Sequence, residues 1–256
     1  EFNNLNSFKE IQKVVAKKLK KKINFLLKNF NIKKGENLII HSNAAGLFQY
    51  SNKKNSMDLF FKLILKKIGV SGTMIIPTYN YDFTKGKAYI KNKSPSHVGM
   101  FTNYLLKKYS KKRTNNPIFS HLIFGKLSKV LHLSDNFEMF GEKSIFANFL
   151  RFDFKIICFC CSPAFITLIH YFEKKLDVDY RFDKLFKGKI KIHNKLTTKV
   201  IKYRVGKKKI NYTLKESNLL KLLKKKKFLE KPFGRFLCYS VKASYLYNSI
   251  RKKIQK

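Results

Sequence analysis

Three polar side chains at helical spacing form the part of this sequence best suited to catalysis. Thr167, His170 and Glu173 follow one another at intervals of three residues, so a helix over 165–176 would place them on one face. A carboxylate that orients an imidazole and raises its basicity makes a general base that accepts protons near neutral pH. Spacing alone leaves a second interpretation open, in which His170 and Glu173 form a partly exposed surface pair.

The elements around this segment place it at the end of a strand. The predicted helix follows a continuous apolar strand at 154–161, and open α/β sheets bind ligands beyond the carboxyl ends of their strands. Two further loops follow predicted strands, at 41–48 (HSNAAGLF) and 77–83 (PTYNYDF). Neither has the spacing of a phosphate-binding or dinucleotide-binding motif, and each alone is more typical of an ordinary connection.

Alternating strands and helices predict an α/β fold. Hydrophobic periodicity predicts helices at 8–30, 57–68, 98–109, 144–150 and 165–176, and strands at 36–41, 72–77, 118–124 and 154–161. This alternation indicates a sheet covered by helices on both faces.

The pattern changes at Lys187 and becomes rich in hairpins. We predict short strands at 189–193, 199–205 and 208–212 with tight turns at 193–194 and 206–207, a helix at 214–228, a strand at 233–238 and a helix at 242–254. We therefore expect a single domain over 1–256, in which the strands and helices of 187–256 pack on an α/β core formed by 1–186.

The charge of the chain is strongly positive. Its 256 residues include 56 Lys and Arg against 15 Asp and Glu, a net charge of +41, while a hydrophobic content of 44% excludes a disordered basic tail. Only 6 cations are Arg, the residue that clamps phosphates bidentately. The lysine excess indicates either a solvated surface or non-specific contact with polyanions such as nucleic acid or an anionic membrane. The longest apolar stretch, 156–169, has 14 residues. A membrane span needs about 20, so no transmembrane segment is expected.

The four cysteines do not suggest a metal or a disulfide framework. Cys158, Cys160 and Cys161 lie in one strand-like apolar run, and Cys238 stands alone. Zinc sites use two closely spaced ligand pairs, which this arrangement lacks. We expect small buried thiols, no bound metal, and a reducing, cytoplasmic setting.

Six segments occur in an order that resembles a known enzyme family. They are 33–48 (KKGENLIIHSNAAGLF), 69–83 (GVSGTMIIPTYNYDF), 94–101 (SPSHVGMF), 113–120 (RTNNPIFS), 140–149 (FGEKSIFANF) and 166–173 (ITLIHYFE). In this series the chain resembles the acetyl-CoA-dependent aminoglycoside 3-N-acetyltransferase family. The resemblance implies a three-layer α/β/α fold with a central mixed sheet and a cleft that binds acetyl-CoA.

The resemblance also implies roles for individual residues. The family's Thr-x-x-His-x-x-Glu segment matches Thr167, His170 and Glu173, so His170 would deprotonate the acceptor ammonium while Glu173 holds and polarises it. The acetyl group would pass directly from acetyl-CoA to an amine, without a covalent enzyme intermediate. The loops that line the cofactor site would contribute His41, Ser42, Asn43, Pro77, Thr78, Tyr79 and Ser120.

Three amides depart from the family pattern. Asn116 stands where the family has a His before Pro117, Asn43 where a second Ser is common, and Asn103 where Glu is usual. An amide forms hydrogen bonds but cannot carry a proton or a charge. If that His contributes to catalysis in relatives, Asn116 would lower the activity or change the acceptor.

The acceptor is expected to be the amine of an amino sugar. A net charge of +41 repels polycationic antibiotics, although salt screens the repulsion over about 10 Å. The positive electrostatic potential of the chain instead attracts an amino sugar on a nucleotide diphosphate or another anionic carrier. The candidate substrate-binding residues are Asp82, Glu142 and Asn116. Antibiotic acetylation is the alternative within the family. The alternative from another class is a catalytically weakened member that binds nucleic acid or an anionic surface.

Overall fold

The described residues form two β-sheets. The structure is a computed structural model that describes residues 2–50, 53–135, 137–192, 195–207, 216–223 and 227–254. The strands are β1 (Asn37–Ser42), β2 (Thr73–Pro77), β3 (Tyr89–Ile90), β4 (His121–Gly125), β5 (Lys155–Phe159), β6 (Arg181–Ile192), β7 (Lys195–Gly206), β8 (Leu229–Phe233) and β9 (Phe236–Lys242).

The helices agree in position with most of the predicted ones. They are α1 (Phe2–Asn29), α2 (Ala45–Phe48), α3 (Lys53–Ile68), α4 (Met100–Tyr109), α5 (Ser128–Leu133), α6 (Ile145–Arg151), α7 (Leu168–Lys175), α8 (Glu216–Leu223) and α9 (Ala243–Ile254). The helices predicted at 98–109, 144–150 and 242–254 are confirmed as α4, α6 and α9. Among the described residues, no helix is both long and apolar enough to span a membrane.

The central sheet is mixed, as expected. Its six strands lie in the order β4-β2-β1-β5-β9-β8. β1 is parallel to both β2 and β5, whereas β4 runs antiparallel to β2, and β9 runs antiparallel to β5 and β8. The parallel trio at the centre brings the carboxyl ends of β1, β2 and β5 to one edge.

Both faces of the central sheet are buried, which confirms the three layers. Along β1, Leu38 and Ile40 join a core with side chains of α1, α3 and α4, while Ile39 faces a core with side chains of α6, α7 and α9. Strands buried on both sides have continuous apolar runs rather than alternating ones. This is why β1, β2 and β5 were recognisable in the sequence.

The second sheet consists of β3, β6 and β7 in the order β3-β6-β7. The strands predicted at 189–193 and 199–205 are longer, because β6 begins at Arg181 and β7 at Lys195. The hairpin packs one face on the protein through the buried Ile190 and Ile201. The turn predicted at 193–194 and the strand predicted at 208–212 lie outside the described residues.

The C-terminal strand prediction was incomplete. A single strand was predicted at 233–238, and the structure has a hairpin of β8 and β9 that turns at Gly234, where φ is +62°. β8 contains Pro232 and lies at the sheet edge, where a residue without a backbone N–H is tolerated. A proline in a sequence argues against a strand, so the prediction placed the strand too late.

The helix predicted at 165–176 starts later than expected. Residues Pro163–Phe165 form a 3₁₀ turn, Ile166 is extended, and α7 begins only after Thr167. Phe165 therefore lies outside the helix and is exposed, whereas Ile169 and Phe172 are buried in the core. Pro163 occupies the first position of this turn, where a residue without a backbone N–H is accepted.

Candidate active site

A cavity of about 1040 Å³ opens where β1, β2 and β5 end. It lies in the position where open α/β sheets bind ligands. Its lining residues are Ile40, His41, Ser42, Asn43, Ala44, Ala45 and Phe48 near the end of β1; Pro77, Tyr79 and Tyr81 near the end of β2; His97, Val98, Gly99, Met100 and Thr102 near the start of α4; and Cys160, Cys161, Ser162, Ala164, Phe165, Ile166, Thr167 and His170 after β5.

His170 lies at the wall of this cavity, and the structure places the buried Glu173 directly behind it. His170 Nδ1 lies 2.8 Å from Glu173 Oε2, and the two side chains are 30% and 2% exposed. Because Nδ1 faces the carboxylate, Nε2 is the ring nitrogen left for a ligand. The edge of Phe140 packs against the imidazole, with ring centroids 5.7 Å apart.

Glu173 is held by two more side chains from the segment that enters β6. Arg181 Nε lies 2.6 Å from Glu173 Oε2, and the Tyr180 hydroxyl donates a hydrogen bond to Glu173 Oε1 at 3.1 Å. Contacts on both oxygens fix the carboxylate, which in turn fixes the imidazole of His170. This second layer of contacts was not predicted, because Tyr180 and Arg181 are distant from His170 in the helical pattern.

The chain after β5 explains how His170 reaches the cavity. Cys160 has a left-handed φ of +54°, which turns the backbone sharply at the end of the strand. Ser162 Oγ accepts a hydrogen bond from the Ala164 N–H at 3.0 Å and opens the 3₁₀ turn. The His170 N–H then donates to the Thr167 carbonyl at 3.0 Å, so His170 lies in the first turn of α7.

Tyr79 links the loop after β2 to the start of α7. Its hydroxyl lies 3.3 Å from His121 Nε2. Burial raises the pKa of Tyr79, and a hydrogen bond with Thr167 partly opposes the rise. Burial also lowers the pKa of His121 to about 3, so its ring is neutral at physiological pH. Tyr79 therefore keeps its proton and can serve as a hydrogen-bond donor at the wall.

The predicted cofactor residues Thr78 and Ser120 are buried and do not line the cavity. Their hydroxyl oxygens are 3.1 Å apart. The buried Arg113 donates to Ser120 Oγ at 2.9 Å, to the Thr78 carbonyl at 2.7 Å and to the Lys91 carbonyl at 3.1 Å. Arg113 was not identified from the sequence. Its residue type was a signal, because in a lysine-rich chain an arginine indicates a position where one planar group must donate several hydrogen bonds.

The end of β1 and the residue after it place three predicted residues, His41, Ser42 and Asn43, at the wall. Burial lowers the pKa of His41 to about 4, so its imidazole is neutral. Asn43 Oδ1 accepts a hydrogen bond from the Ala45 N–H at 3.0 Å and shapes the start of α2. Ser42 Oγ is buried, and it has no hydrogen-bond partner among the described residues. A buried hydroxyl without a partner fits a wall that is completed by a ligand.

Asn116 lies away from the cavity, and its amide stabilises a turn. Its Oδ1 accepts hydrogen bonds from the N–H groups of Ile118 and Phe119, at 3.0 and 2.8 Å. Its Nδ2 lies 3.5 Å from Met139 Sδ. This turn explains why the strand predicted at 118–124 begins only at His121.

Asp82 and Glu142 also lie outside the cavity lining. Asp82 Oδ2 is 3.6 Å from His97 Nε2, so this carboxylate stands behind a histidine that does line the cavity. Glu142 Oε1 is 2.7 Å from Lys175 Nζ, on a neighbouring groove. Sequence reasoning missed His97, although it lies in a segment that carries the family resemblance.

The cysteines are free thiols packed behind and along the cavity. Cys160 Sγ lies 3.6 Å from Cys238 Sγ, and Cys160 and Cys161 both contribute to the lining. The described residues contain no group of three or more His, Cys, Asp or Glu side chains that could hold a metal ion.

Fold and site together define a three-layer α/β protein with a histidine–carboxylate pair in a cleft at the carboxyl ends of its parallel strands. The family model of aminoglycoside 3-N-acetyltransferase matches residues 39–255, and the chain belongs to this family. No curated protein matches the sequence.

Solved structures share the fold at low sequence identity. The YokD protein from Bacillus subtilis has a TM-score of 0.77 at 17% identity, covering 93% of this chain and 99% of its own. AAC-IIIb in a binary complex with CoASH has a TM-score of 0.78 at 14% identity, covering 94% and 96%. AAC-VIa bound to sisomicin has a TM-score of 0.76 at 13% identity, covering 94% and 97%. At these identities the similarity shows the fold.

Proposed function

We propose that this protein transfers an acetyl group from acetyl-CoA to the amine of an amino sugar, with His170 as the general base. The observation that carries the proposal is that His170, at the wall of the cavity, pairs with the buried Glu173 behind it, in a chain that belongs to this family. The same pairing disfavours the alternative of a catalytically weakened family member.

The proton transfer follows from the geometry of the pair. His170 Nε2 accepts a proton from the acceptor ammonium, and the freed amine attacks the acetyl carbonyl. As the C–N bond forms, the C–S bond of the thioester breaks, and CoA leaves as the free thiol because its sulfur takes the second proton that the nitrogen loses. Glu173 accepts the hydrogen bond from Nδ1–H and stabilises the imidazolium that forms. Arg181 and Tyr180 keep the carboxylate in place, so the ring does not have to reorient during the reaction.

The volume of the cavity, about 1040 Å³, supports a large donor such as acetyl-CoA. Bound acetyl-CoA supplies an acetyl group already activated as a thioester, so no covalent intermediate on the protein is required. Ser42 Oγ and the Tyr79 hydroxyl offer hydrogen bonds from the wall, and Met100 and Phe165 offer exposed apolar contacts at it. CoASH is present in the AAC-IIIb complex, which shares the fold.

The charges of the site favour an acceptor with few amines. AAC-VIa binds sisomicin, a polycationic antibiotic. In this chain no Asp or Glu is among the described lining residues, and the net charge is +41. A polycation would find no carboxylate in this wall and would meet repulsion outside it. We therefore place an amino sugar on an anionic carrier, such as a nucleotide diphosphate, ahead of antibiotics.

The test is release of free thiol from acetyl-CoA in the presence of two acceptor classes. We expect release with a nucleotide-linked amino sugar and little or none with sisomicin. His170→Ala should abolish release, while His132→Ala on α5, outside the cavity lining, should retain it. Thiol release only with sisomicin would overturn the acceptor assignment. Full activity of His170→Ala would overturn the general base.

A further inference from the structure

The outward face of the β6–β7 hairpin carries lysines and aliphatic side chains. Leu185 pairs with Lys202, and Lys187 pairs with Val200. Directly paired residues of an antiparallel sheet project to the same side. Arg181, Asp183 and Arg204 are on the same side at the other end of the hairpin, where ion pairs engage them. The rest of this side, which we name the hairpin outer face, comprises Leu185, Lys187, Lys189, Lys191, Leu196, Thr198, Val200 and Lys202.

The aliphatic side chains of the hairpin outer face are open to solvent. Leu185, Leu196 and Val200 are 63%, 55% and 56% exposed. The opposite face of the same hairpin is already packed, since Ile190 and Ile201 are each 1% exposed. The exposed side chains therefore belong to a second apolar surface that the fold itself does not cover.

The lysines of this face are not neutralised by their surroundings. Lys187, Lys189 and Lys191 occupy alternate positions of one strand, so they stand about 7 Å apart in a row. None of the four lysines forms an ion pair with a carboxylate among the described residues. The nearest acid on the same side of β6, Asp183, is engaged by Lys174 at 3.1 Å and by Arg204 at 3.9 Å.

We propose that the hairpin outer face docks on an anionic lipid surface. Cations beside exposed aliphatic side chains match a membrane interface, where charge attracts the headgroups and the apolar side chains enter the acyl boundary. A single-stranded nucleic acid would instead favour aromatic side chains for stacking and arginines for cation–π contacts. The eight residues of the hairpin outer face include no aromatic side chain and no arginine, so an anionic lipid surface matches them better than a nucleic acid does. The proposal does not depend on the proposed enzymatic activity.

The first experiment is co-sedimentation of the full chain with vesicles. Vesicles of phosphatidylcholine with phosphatidylglycerol should retain the protein, and vesicles of phosphatidylcholine alone should not. A lysine near such a surface contributes about a fivefold factor to binding. Lys187→Gln with Lys189→Gln should therefore weaken retention about 25-fold, and Leu185→Ser with Val200→Ser should weaken it further.

A matched control separates this face from the general positive charge. Lys17→Gln with Lys21→Gln, and Val14→Ser with Phe25→Ser, remove the same number of exposed lysines and apolar side chains from α1. These variants should keep most of the retention. An equal loss in both sets, or stronger retention on DNA with the same dependence on Lys187 and Lys189, would overturn the proposal.

A site-specific probe keeps the proposal testable if a multiple variant fails to fold. The chain contains no Trp, so Leu185→Trp introduces a single fluorophore on the face. Its emission should shift to shorter wavelength on anionic vesicles and should be quenched by brominated lipid. Val70→Trp, at an exposed position between α3 and β2, should do neither. An unshifted Leu185→Trp spectrum with bound protein would refute docking through this face.

Discussion

Glu173→Gln is the substitution that most directly tests the site. Glutamine keeps nearly the same shape and removes the negative charge that faces His170 Nδ1 at 2.8 Å and Arg181 Nε at 2.6 Å. Two effects follow and can be measured apart. The protein loses stability because Arg181 loses its partner, and it loses turnover because the imidazole loses the group that orients it.

The loss of stability can be worked from burial. Glu173 is 2% exposed and Arg181 11% exposed, so solvent screens this pair little. Removing one partner of a buried pair costs about 3–5 kcal/mol, and because glutamine still accepts one hydrogen bond we expect about 3 kcal/mol. For a chain of this size that lowers Tm by roughly 6–12 °C. Thermal unfolding followed by circular dichroism measures the shift.

The expected loss of turnover in Glu173→Gln is larger than the fraction of unfolded protein could cause. General-base catalysis contributes about 10²–10⁴-fold, and we expect kcat to fall about 10²-fold with KM for acetyl-CoA nearly unchanged. Thiol release must be followed well below the Tm of the variant. Glu230→Gln, on an exposed position of β8, is the matched control and should change neither quantity. A Glu173→Gln protein with lowered Tm and normal kcat would show that the carboxylate is only structural.

Three further perturbations follow from the packing and the charges. A Cβ on Gly46 would lie 2.2 Å from Cys160 Sγ, so Gly46→Ala should destabilise the protein by about 1–3 kcal/mol, and adding Cys160→Gly should recover part of this in urea unfolding. The folded-state pKa of His121 is about 3, below its ordinary 6.5, so its contribution to stability is fully present above pH 6.5 and is lost as pH falls toward 3. About 2 kcal/mol of that contribution is already lost at pH 5. His121→Asn should therefore reduce the difference between the unfolding free energies at pH 7.5 and pH 5 by about 2 kcal/mol. Lys155 Nζ lies 3.2 Å from Glu36 Oε2 in a nearly buried pair, and Glu36 Oε1 keeps a second partner in Lys242 Nζ at 2.7 Å. Lys155→Met should therefore lower the unfolding free energy by only about 1–2 kcal/mol in a denaturant titration.

The sequence was sufficient to predict the elements that a local hydrophobic pattern or a local spacing identifies. The strands β1, β2 and β5 are buried on both faces, so each is a short apolar run that stands out from a lysine-rich background. The pair of His170 and Glu173 was recognisable because helical spacing alone brings such residues together. Local spacing and local burial were the only information needed in these cases.

The remaining features depend on contacts that no local pattern contains. β6 is mostly exposed on one face and half-buried on the other, so its first half has little hydrophobic signal, and the sequence predicts a strand only from residue 189. The family resemblance suggested a catalytic or binding role at Asn116, but its side chain caps a turn. Asp82 follows β2 as expected, yet its carboxylate faces His97 and not the cavity. Side-chain direction is decided by packing, which spacing does not specify.

The arginines connect the unusual composition to the site. Of 56 cations only 6 are Arg, and three of these lie at buried or nearly buried positions. Arg113 joins three segments behind the cavity, Arg181 holds Glu173, and Arg204 bonds both Asp177 and the Val178 carbonyl. A lysine offers one compact charge and cannot span several acceptors from one plane, so these positions need a guanidinium. Lysine can serve wherever a single solvated charge is enough, as on the hairpin outer face. The retained arginines therefore mark where geometry, rather than charge, is required, and one of them supports the carboxylate on which the proposed proton transfer depends.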